Sequence, residues 1–373
     1  MANIVIVHAG ESPPETWDAS LFLAGPTPRS ADVPSWRPAA LRELVWEGPG
    51  TLAVFVPEPR DGSVWPDYTS QITWELHWGD RCDVVLFWIP RGPGMPALTT
   101  NDEFGRWKDS GRVVLGTPPA AEHVRYQREY ATTHRISLSD TLPDTVASAL
   151  SLLTPGATRA GGERHVPLLV WRTPSFQSWL SRVREAGDEL RSGRLEWTWR
   201  SGRSLFLWAF HAQLYVASED RVKSNEVVLS RPDIACVVAY RRASVPLDTE
   251  VVLVREFRSP GGFVHELPGG SNPAPMPMLE LAAVELAEET GVRVPLDRLR
   301  AHHHRPLAAS FSAHRQHVFS VELTADEMAR LRPAGNHDES ERTYPEVHRL
   351  GDLLKNGATD WTTLGALAEV VFS

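Results

Sequence analysis

Short apolar runs separated by helix-length connections constrain the fold of the first half of the chain more than any other feature. Four such runs lie at 20–24, 52–56, 83–89 and 113–116. Runs that are apolar almost throughout are typical of strands buried on both faces of a parallel sheet, whose successive strands need crossover connections. Candidate helices lie at 39–46, 70–78 and 139–153. The pattern predicts an α/β domain built on a parallel sheet.

A stretch rich in Gly, Pro and small residues, TPGATRAGGERH at 154–165, interrupts the apolar pattern and predicts a linker. The 373 residues then divide into an N-terminal domain at 1–153 and a C-terminal domain at 166–373, the core of the latter at about 195–373. The second half shows strand-like runs at 166–171, 205–210, 214–217, 234–240, 250–255, 318–323 and 346–350, with helices at 175–190 and Met278–Thr290. This mixture indicates an α+β domain.

Charge and hydropathy argue against two classes of partner. The chain has 38 Lys and Arg against 47 Asp and Glu, a net charge of −9, whereas nucleic-acid binders neutralise phosphates with a basic surface. The most apolar run, at 84–89, is far too short to cross a bilayer. The first residues lack a signal-peptide pattern, and the two cysteines, Cys82 and Cys236, are far apart. We expect a cytoplasmic protein without nucleic-acid or membrane partners.

Three carboxylates share one face of the helix predicted in the second half. Glu285, Glu288 and Glu289 stand at i, i+3 and i+4, a spacing at which like charges repel. A hard divalent cation such as Mg²⁺ or Mn²⁺ would reverse that repulsion. A solvated acidic face is the alternative. The glycine turn of the preceding ELPGG segment, 266–270, favours a ligand site, because backbone can approach a ligand closely there.

Laid on Gly270, this segment resembles the box of the Nudix hydrolase family, G-x5-E-x7-R-E-U-x-E-E-x-G-U. The final part matches at Glu285, Leu286, Glu288, Glu289 and Gly291-Val292. Met276 and Val284 stand where the family has Glu and Arg. The resemblance implies a Nudix fold, with Glu285, Glu288 and Glu289 as ligands of Mg²⁺ or Mn²⁺. The two departures put catalytic efficiency in doubt.

The flanking segments VREFR, 254–258, and HELPGG, 265–270, are similar to the ADP-ribose pyrophosphatase branch of that family. This resemblance implies that substrate is bound near Arg255, Arg258, Glu266, Gly269 and Gly270, with Glu266 also a candidate metal or water contact. Surface ion pairing is the alternative for the two arginines. A base for the attacking water often comes from a loop outside the box in this branch. The acidic loop HDESE, 337–341, offers Glu339 and Glu341.

In the first half, Asp102 and Glu103 follow the strand predicted at 83–89. Open α/β sheets keep functional groups at the carboxyl ends of their strands. Acidic residues also suit the first turn of a helix, which is the alternative reading of this pair.

The same half resembles the nucleoside 2-deoxyribosyltransferase-like family. The similar segments are SLFLAGP with its Gly25-Pro26 turn, Trp74-Glu75, the strand DVVLFWIP, and Glu103 two residues before Gly105. The resemblance implies that Glu103 is the nucleophile and that Gly25 and Pro26 border the substrate. Glu75 and Asp102 are candidate partners in acid–base chemistry or sugar binding. Trp65, Tyr68 and Trp74 are candidates for stacking on a nucleobase, with a core role as the alternative for Trp74. Arg125 and Tyr126 are candidates for a phosphate or sugar pocket.

Together the two halves predict a bifunctional enzyme that acts on small nucleosides and nucleotides. One half would cleave or transfer an N-glycosidic bond, and the other would hydrolyse an ADP-ribose-like diphosphate with Mg²⁺. The alternative is a sensor that binds such nucleotides through a degenerate Nudix site. Both families commonly self-associate, so a homo-oligomer is compatible with either reading.

Overall fold

The computed structural model describes residues 3–29, 32–63, 67–201, 204–271, 276–331 and 342–373. The chain forms two compact units, Met1–Leu229 and Ser230–Ser373. The residues predicted as a linker, 154–165, lie inside the first unit, and the division falls between 229 and 230 instead.

The first unit contains the following elements in chain order: β1 (Asn3–His8), β2 (Thr16–Trp17), β3 (Ala19–Ala24), α1 (Arg37–Glu43), β4 (Thr51–Val56), α2 (Tyr68–Gly79), β5 (Val84–Trp88), α3 (Leu98–Trp107), β6 (Val113–Gly116), α4 (Arg125–Thr133), β7 (Ser137–Ser139), α5 (Leu142–Leu153), β8 (Arg159–Ala160), α6 (Leu168–Trp171), α7 (Pro174–Glu185), β9 (Glu189–Ser201), β10 (Ser204–Val216) and β11 (Arg221–Ser230).

Six parallel strands form the main sheet of the described part of this unit, in the order β1-β4-β3-β5-β6-β7. The predicted α/β domain with a parallel sheet is confirmed. The four predicted strands are the central ones, β3 to β6. The two edge strands were not predicted, because β1 is only partly buried and β7 has three residues.

The segment predicted as a linker is built into the fold. Its short strand β8 pairs with β2 in an antiparallel bridge, and the Arg159 side chain is fully buried. The strand predicted at 166–171 is wrong, because this segment forms the one-turn helix α6. The Leu168 N–H at its start donates to the Asp83 carboxylate at 2.6 Å, a tertiary contact that periodicity does not reveal.

A separate antiparallel sheet of the described residues has the order β11-β10-β9. The runs at 205–210 and 214–217 were predicted as two strands, but they belong to one 13-residue strand, β10. The pairing of β10 with β9 continues along both runs and contains register shifts.

The second unit contains β12 (Ile234–Arg241), β13 (Glu250–Arg258), β14 (Gly262–Glu266), β15 (Gly269–Gly270), α8 (Met278–Thr290), β16 (Arg300–Ala301), β17 (Arg305–Pro306), β18 (Arg315–Glu322), α9 (Ala325–Met328), β19 (Tyr344–Arg349), α10 (Leu350–Asn356) and α11 (Trp361–Val371).

Its described strands form one mixed sheet, in which β12 pairs parallel with β18 and antiparallel with β13. Successive residues of a strand point to opposite faces. Val252 packs with Leu281 and Leu286 of α8, whereas Val251 and Leu253 pack with Leu353 of α10 and Leu367 of α11. Helices therefore cover both faces of a mixed sheet, in agreement with the predicted α+β class.

Helix α8 has the predicted bounds, and Gly291 ends it in the left-handed conformation with φ of 75°. Within the described ranges, no helix has the length and apolar character needed to span a membrane. Cys82 and Cys236 are free and buried. Burial raises the pKa of each thiol to about 12, so neither is prone to form a thiolate.

Candidate functional site

The Gly25-Pro26 turn lies at the carboxyl end of β3, beside the end of β5. Gly25 has φ of 142°, and a Cβ added there would lie 2.3 Å from the backbone oxygen of Trp88. Only glycine fits this approach without strain. The Trp36 indole N–H donates to the Pro26 oxygen at 3.1 Å, which fixes the turn against the start of α1.

Arg37 of α1 anchors the same turn from beneath. Its fully buried guanidinium donates to the Gly25 oxygen at 2.7 Å and to the Leu23 oxygen at 3.1 Å. It also pairs with Glu58 at 2.5 Å. Sequence reasoning missed Arg37. One sequence feature could have indicated it. The helix macrodipole disfavours a cation in the first turn of a helix, so an arginine there suggests partners elsewhere in the fold that offset this cost.

Glu103 of α3 and Glu75 of α2 interact electrostatically with each other and with Arg37, the residue that binds this turn. Burial, and then the nearby Glu75 carboxylate, raise the pKa of Glu103 to about 8, while Arg37 acts in the opposite direction. Burial also raises the pKa of Glu75, whose carboxylate accepts a hydrogen bond from Gln71 at 2.9 Å. Two carboxyl groups with raised pKa values in one place are typical of acid–base or nucleophilic sites.

The third predicted carboxylate, Asp102, is exposed on α3. The side chain before it, Asn101, points into a polar network instead. Asn101 Oδ1 accepts from Arg91 at 2.5 Å and from Gln127 at 2.6 Å. This network ties the loop after β5 to α3 and α4, and so positions the helix that carries Glu103. The position of Arg91 after the predicted strand pointed to this edge of the sheet, but sequence reasoning gave no role to Asn101 or Gln127, because hydrogen bonds between distant elements leave no local pattern.

A cavity of about 710 Å³ opens at this edge of the sheet and is large enough for a nucleoside-sized ligand, but neither Glu75 nor Glu103 is among the described residues that line it. Its lining includes Arg29, Arg91, Gly94, Leu98, Glu122 and His123. Arg125 lies on the wall of a neighbouring cavity, and Tyr126 is exposed.

The predicted stacking aromatics have different environments. Tyr68 is exposed, and Trp65 lies outside the described residues. Trp74 packs against Phe22 and Phe55 with ring centroids about 6 Å apart, and it also borders a cavity of about 460 Å³. Trp74 thus combines a core contact with an accessible edge.

In the second unit, the Gly269-Gly270 strand lies directly against α8. A Cβ on Gly270 would be 2.4 Å from Glu285 Oε1, and the Gly269 N–H donates to Glu289 Oε2 at 2.8 Å. Glu285 and Glu289 are half-buried here, whereas Glu288 is exposed. The structure therefore brings two of the three predicted helix carboxylates onto the glycine turn.

Two strand carboxylates extend this group. Arg258 donates to Glu266 at 2.8 Å and pairs with the buried Glu256 at 2.9 Å. Burial is the main reason that the pKa of Glu289 rises to about 8; Glu285 and Glu256 raise it further, and the Gly269 N–H and Arg258 oppose the rise. We call Glu256, Glu266, Glu285 and Glu289 the acidic cluster.

The donor set of the acidic cluster suits a hard cation by its chemistry, but no three of these four described side chains have ligand atoms within 4.8 Å of one another. Oxygen ligands suit Mg²⁺ and Mn²⁺, and a cation would offset the repulsion that raises the Glu289 pKa. Because Gly270 has no side chain, the backbone of the glycine turn can lie close to the carboxylates, and a Cβ would not fit there. The other predicted candidates, Glu339 and Glu341, lie outside the described residues.

The two predicted substrate arginines lie on opposite faces of the sheet. Successive side chains of a strand point to alternate faces, and Arg255 and Arg258 are an odd number of positions apart on β13. Arg258 faces the acidic cluster. Arg255 donates to Glu346 at 2.9 Å on the other face.

The family model described as "Nucleoside 2-deoxyribosyltransferase like" matches residues 18–121. The match contains Gly25, Pro26, Glu75, Asp102 and Glu103, and it supports a domain of this kind in the first unit. It does not extend to the second unit, so it leaves the Nudix resemblance without support. No curated protein matches the chain.

Proposed function

We propose that the first unit cleaves or transfers the N-glycosidic bond of a nucleoside or nucleotide. The observation that carries this proposal is the electrostatic interaction of Glu103 and Glu75, both with raised pKa values and both influenced by Arg37, which binds the Gly25 oxygen. The family match over these residues supports it.

The chemistry needs one ionised and one protonated carboxyl group. Ionised Glu103 attacks C1′ of the sugar, so an O–C1′ bond forms while the C1′–N bond breaks. The electron pair of that bond goes to the base, which takes a proton from an acid in the site. Water or a second base then attacks C1′ and releases Glu103.

Near neutral pH the proton of the pair is on Glu103, because burial and the charge of Glu75 raise the Glu103 pKa to about 8. Before the attack this proton passes from Glu103 to Glu75, whose own pKa is raised by burial, and the negative charge that Glu103 then carries would keep the proton on Glu75. The Arg37 guanidinium lies close enough to lower the pKa of both carboxyl groups. Arg37 therefore helps Glu103 to ionise without being a hydrogen-bond partner of the sugar.

Release of free base tests the proposal. The purified chain is incubated with purine and pyrimidine nucleosides, their 5′-phosphates and NAD, and the products are separated by chromatography. We expect at least one class of substrate to release its base. The rate of this release should fall by about 1000-fold or more in Glu103→Gln, as it does when the nucleophile of other enzymes is removed. Glu129→Gln, an exposed change on α4, is the matched control. Equal rates in Glu103→Gln and wild type would refute the assignment.

We further propose that the acidic cluster of the second unit hydrolyses a nucleoside diphosphate linked to another group, of the ADP-ribose type. The supporting observation is the contact of Glu285 and Glu289 with the Gly269-Gly270 turn. When bound, Mg²⁺ or Mn²⁺ supplies charge neutralisation of the diphosphate. Glu266, Glu285 and Glu289 would hold it, and Arg258 orients Glu266.

Binding of an ADP-ribose-like nucleotide without turnover is the alternative for this unit. Val284, at the position of the family's Arg, is exposed, and Met276 packs at the edge of the apolar core. Neither can orient a carboxylate. Incubation with ADP-ribose and Mg²⁺ discriminates between the two: a hydrolase forms AMP and loses this activity in Glu289→Gln, whereas a sensor binds ADP-ribose and forms none.

A further inference from the structure

Three potential metal ligands converge on the second unit at a distance from the acidic cluster. His265 of β14 and Glu346 and His348 of β19 each offer one ligand atom, and these atoms all lie within 4.8 Å of one another. Over the ranges that the structure describes, no other group of three His, Cys, Asp or Glu side chains meets this spacing. His265 and Glu346 are 81 positions apart in the sequence.

Strand register explains the convergence. On β13, Arg255 is opposite His265, Leu253 is opposite Glu346, and Val251 is opposite His348. These three β13 positions share one face, which is the face packed by α10 and α11. The acidic cluster lies on the other face, against α8. The two groups are therefore separate sites.

The distances suit a small divalent ion. His265 Nε2 lies 2.9 Å from Glu346 Oε2, and His348 Nε2 lies 3.3 Å from the same oxygen. Ligands held at about 2.0–2.2 Å from a tetrahedral Zn²⁺ are roughly 3.3–3.5 Å from one another. The ligand atoms of the two imidazoles lie within 4.8 Å of each other, so side-chain movements of up to about 1 Å would bring all three ligands to the ion.

Glu346 is already oriented for this role. Its Oε1 accepts from Arg255 Nε at 2.9 Å, which leaves Oε2 facing the two imidazoles. The rings of Phe263 and Tyr344 hold the guanidinium at 4.8 and 4.9 Å. Arg255 acts as an outer partner that fixes the carboxylate, as such partners do around known metal sites. Its charge opposes a cation, so the imidazoles must supply much of the affinity.

The histidines also carry polar atoms without hydrogen bonds. Among the residues that the structure describes, the buried atoms His265 Nδ1 and His348 Nε2 have no hydrogen-bond partner, since the 3.3 Å approach of His348 Nε2 to Glu346 Oε2 is not a hydrogen bond. The Glu346 side chain is 37% exposed, against 14% and 21% for His265 and His348. The group therefore opens to solvent on the carboxylate side, where water can complete the coordination of an ion.

We propose that His265, Glu346 and His348 form a binding site for a first-row divalent transition metal, with Zn²⁺ as the best fit. Two imidazoles and one carboxylate favour such ions over Mg²⁺. Three protein ligands leave the fourth tetrahedral position to water or to an exchangeable ligand.

Cobalt titration tests the site in the full-length chain after treatment with a chelator and dialysis. Tetrahedral Co²⁺ absorbs visible light, so it reports both binding and geometry. We expect the intense band of tetrahedral Co²⁺ to saturate at one equivalent in wild type. Binding measured by this band should be at least about 100-fold weaker in His265→Ala, His348→Ala and Glu346→Gln, since loss of even an outer partner costs 10–100-fold.

Two control variants separate this site from other ligands. His303→Ala removes a mostly exposed histidine that pairs with Glu369 in the same unit, and Glu289→Gln alters the acidic cluster; both should bind Co²⁺ as wild type does. Circular dichroism verifies that each variant is folded. Absence of the visible band in wild type, or an unchanged band in folded His348→Ala, would overturn the proposal. If the variants do not fold, absence of a Zn²⁺-induced rise in the wild-type melting temperature overturns it equally.

Discussion

Arg159 and Asp83 form a wholly buried, two-pronged ion pair, with both guanidinium–carboxylate distances at 2.7 Å and side-chain exposures of 0% and 1%. Asp83 precedes β5, and Arg159 belongs to the Gly-rich segment after α5. The pair ties that segment to the amino end of the central strand. The segment is thus part of the first unit's core.

Arg159→Ala should destabilise the first unit by about 3–5 kcal/mol, because it leaves Asp83 buried without its counter-charge. Chemical denaturation followed by circular dichroism measures the change. Arg221→Ala is the control, since Arg221 pairs with Glu219 at the surface of the same unit, and exposed pairs contribute at most about 1 kcal/mol. Equal effects of the two changes would contradict the structural role of Arg159.

Gly25→Ala should cost at least about 2 kcal/mol, because the added Cβ meets rigid backbone and the positive φ adds strain. Thermal unfolding provides the measurement. Gly105→Ala on α3 is the matched control: a Cβ there meets nothing within 4 Å, and alanine favours a helix by up to about 1 kcal/mol. A tolerated Gly25→Ala would mean that the turn is not packed against Trp88.

The raised pKa of Glu103 should appear in the pH dependence of stability. The carboxyl ionises near its ordinary value of 4.5 when unfolded and near 8 when folded. The folded state therefore binds the proton more tightly, and stability falls as pH rises between these values. Glutamine has no such proton to lose, so the free energy of unfolding of Glu103→Gln should not fall in this way. The variant should be more stable than wild type at pH 9 by on the order of 2–4 kcal/mol and equally stable at pH 4. Glu129→Gln should follow the wild-type curve.

Mg²⁺ should stabilise the second unit through the acidic cluster. At about ten times its Kd, Mg²⁺ should raise the melting temperature by about 2–5 °C. Glu289→Gln should reduce this rise, whereas Glu280→Gln, an exposed change in the first turn of α8, should not. An unchanged Mg²⁺ effect in Glu289→Gln would show that the ion binds elsewhere.

Local patterns account for what the sequence predicted correctly. The central strands are apolar throughout, and α8 has both a helical periodicity and a terminal Gly291, so these elements could be located from neighbouring residues alone. Glu103 was chosen on the resemblance to a known family, and its role stays a prediction. Edge strand β1 and helix α6 depend on partners elsewhere in the fold.

The supporting residues could not be predicted, because long-range contacts define them. Arg37 supports the site through its hydrogen bond to Gly25 and its ion pair with Glu58. Asn101 does so through the hydrogen bonds that it accepts from Arg91 and Gln127. The histidines at 265 and 348 become neighbours only through their pairing with β13. Each of these relationships needs a strand order and register that composition does not specify.

The central proposal is that Glu103 forms a covalent bond to the sugar, and mass spectrometry tests it most directly. The wild-type chain and Glu103→Gln are incubated with a 2′-fluoro nucleoside, whose fluorine slows breakdown of the sugar–enzyme bond by destabilising positive charge at C1′. Peptides are then analysed after proteolysis. We predict a sugar adduct on Glu103 in wild type and none in Glu103→Gln. Release of base at equal rates from both proteins, with no adduct on either, would contradict the proposal.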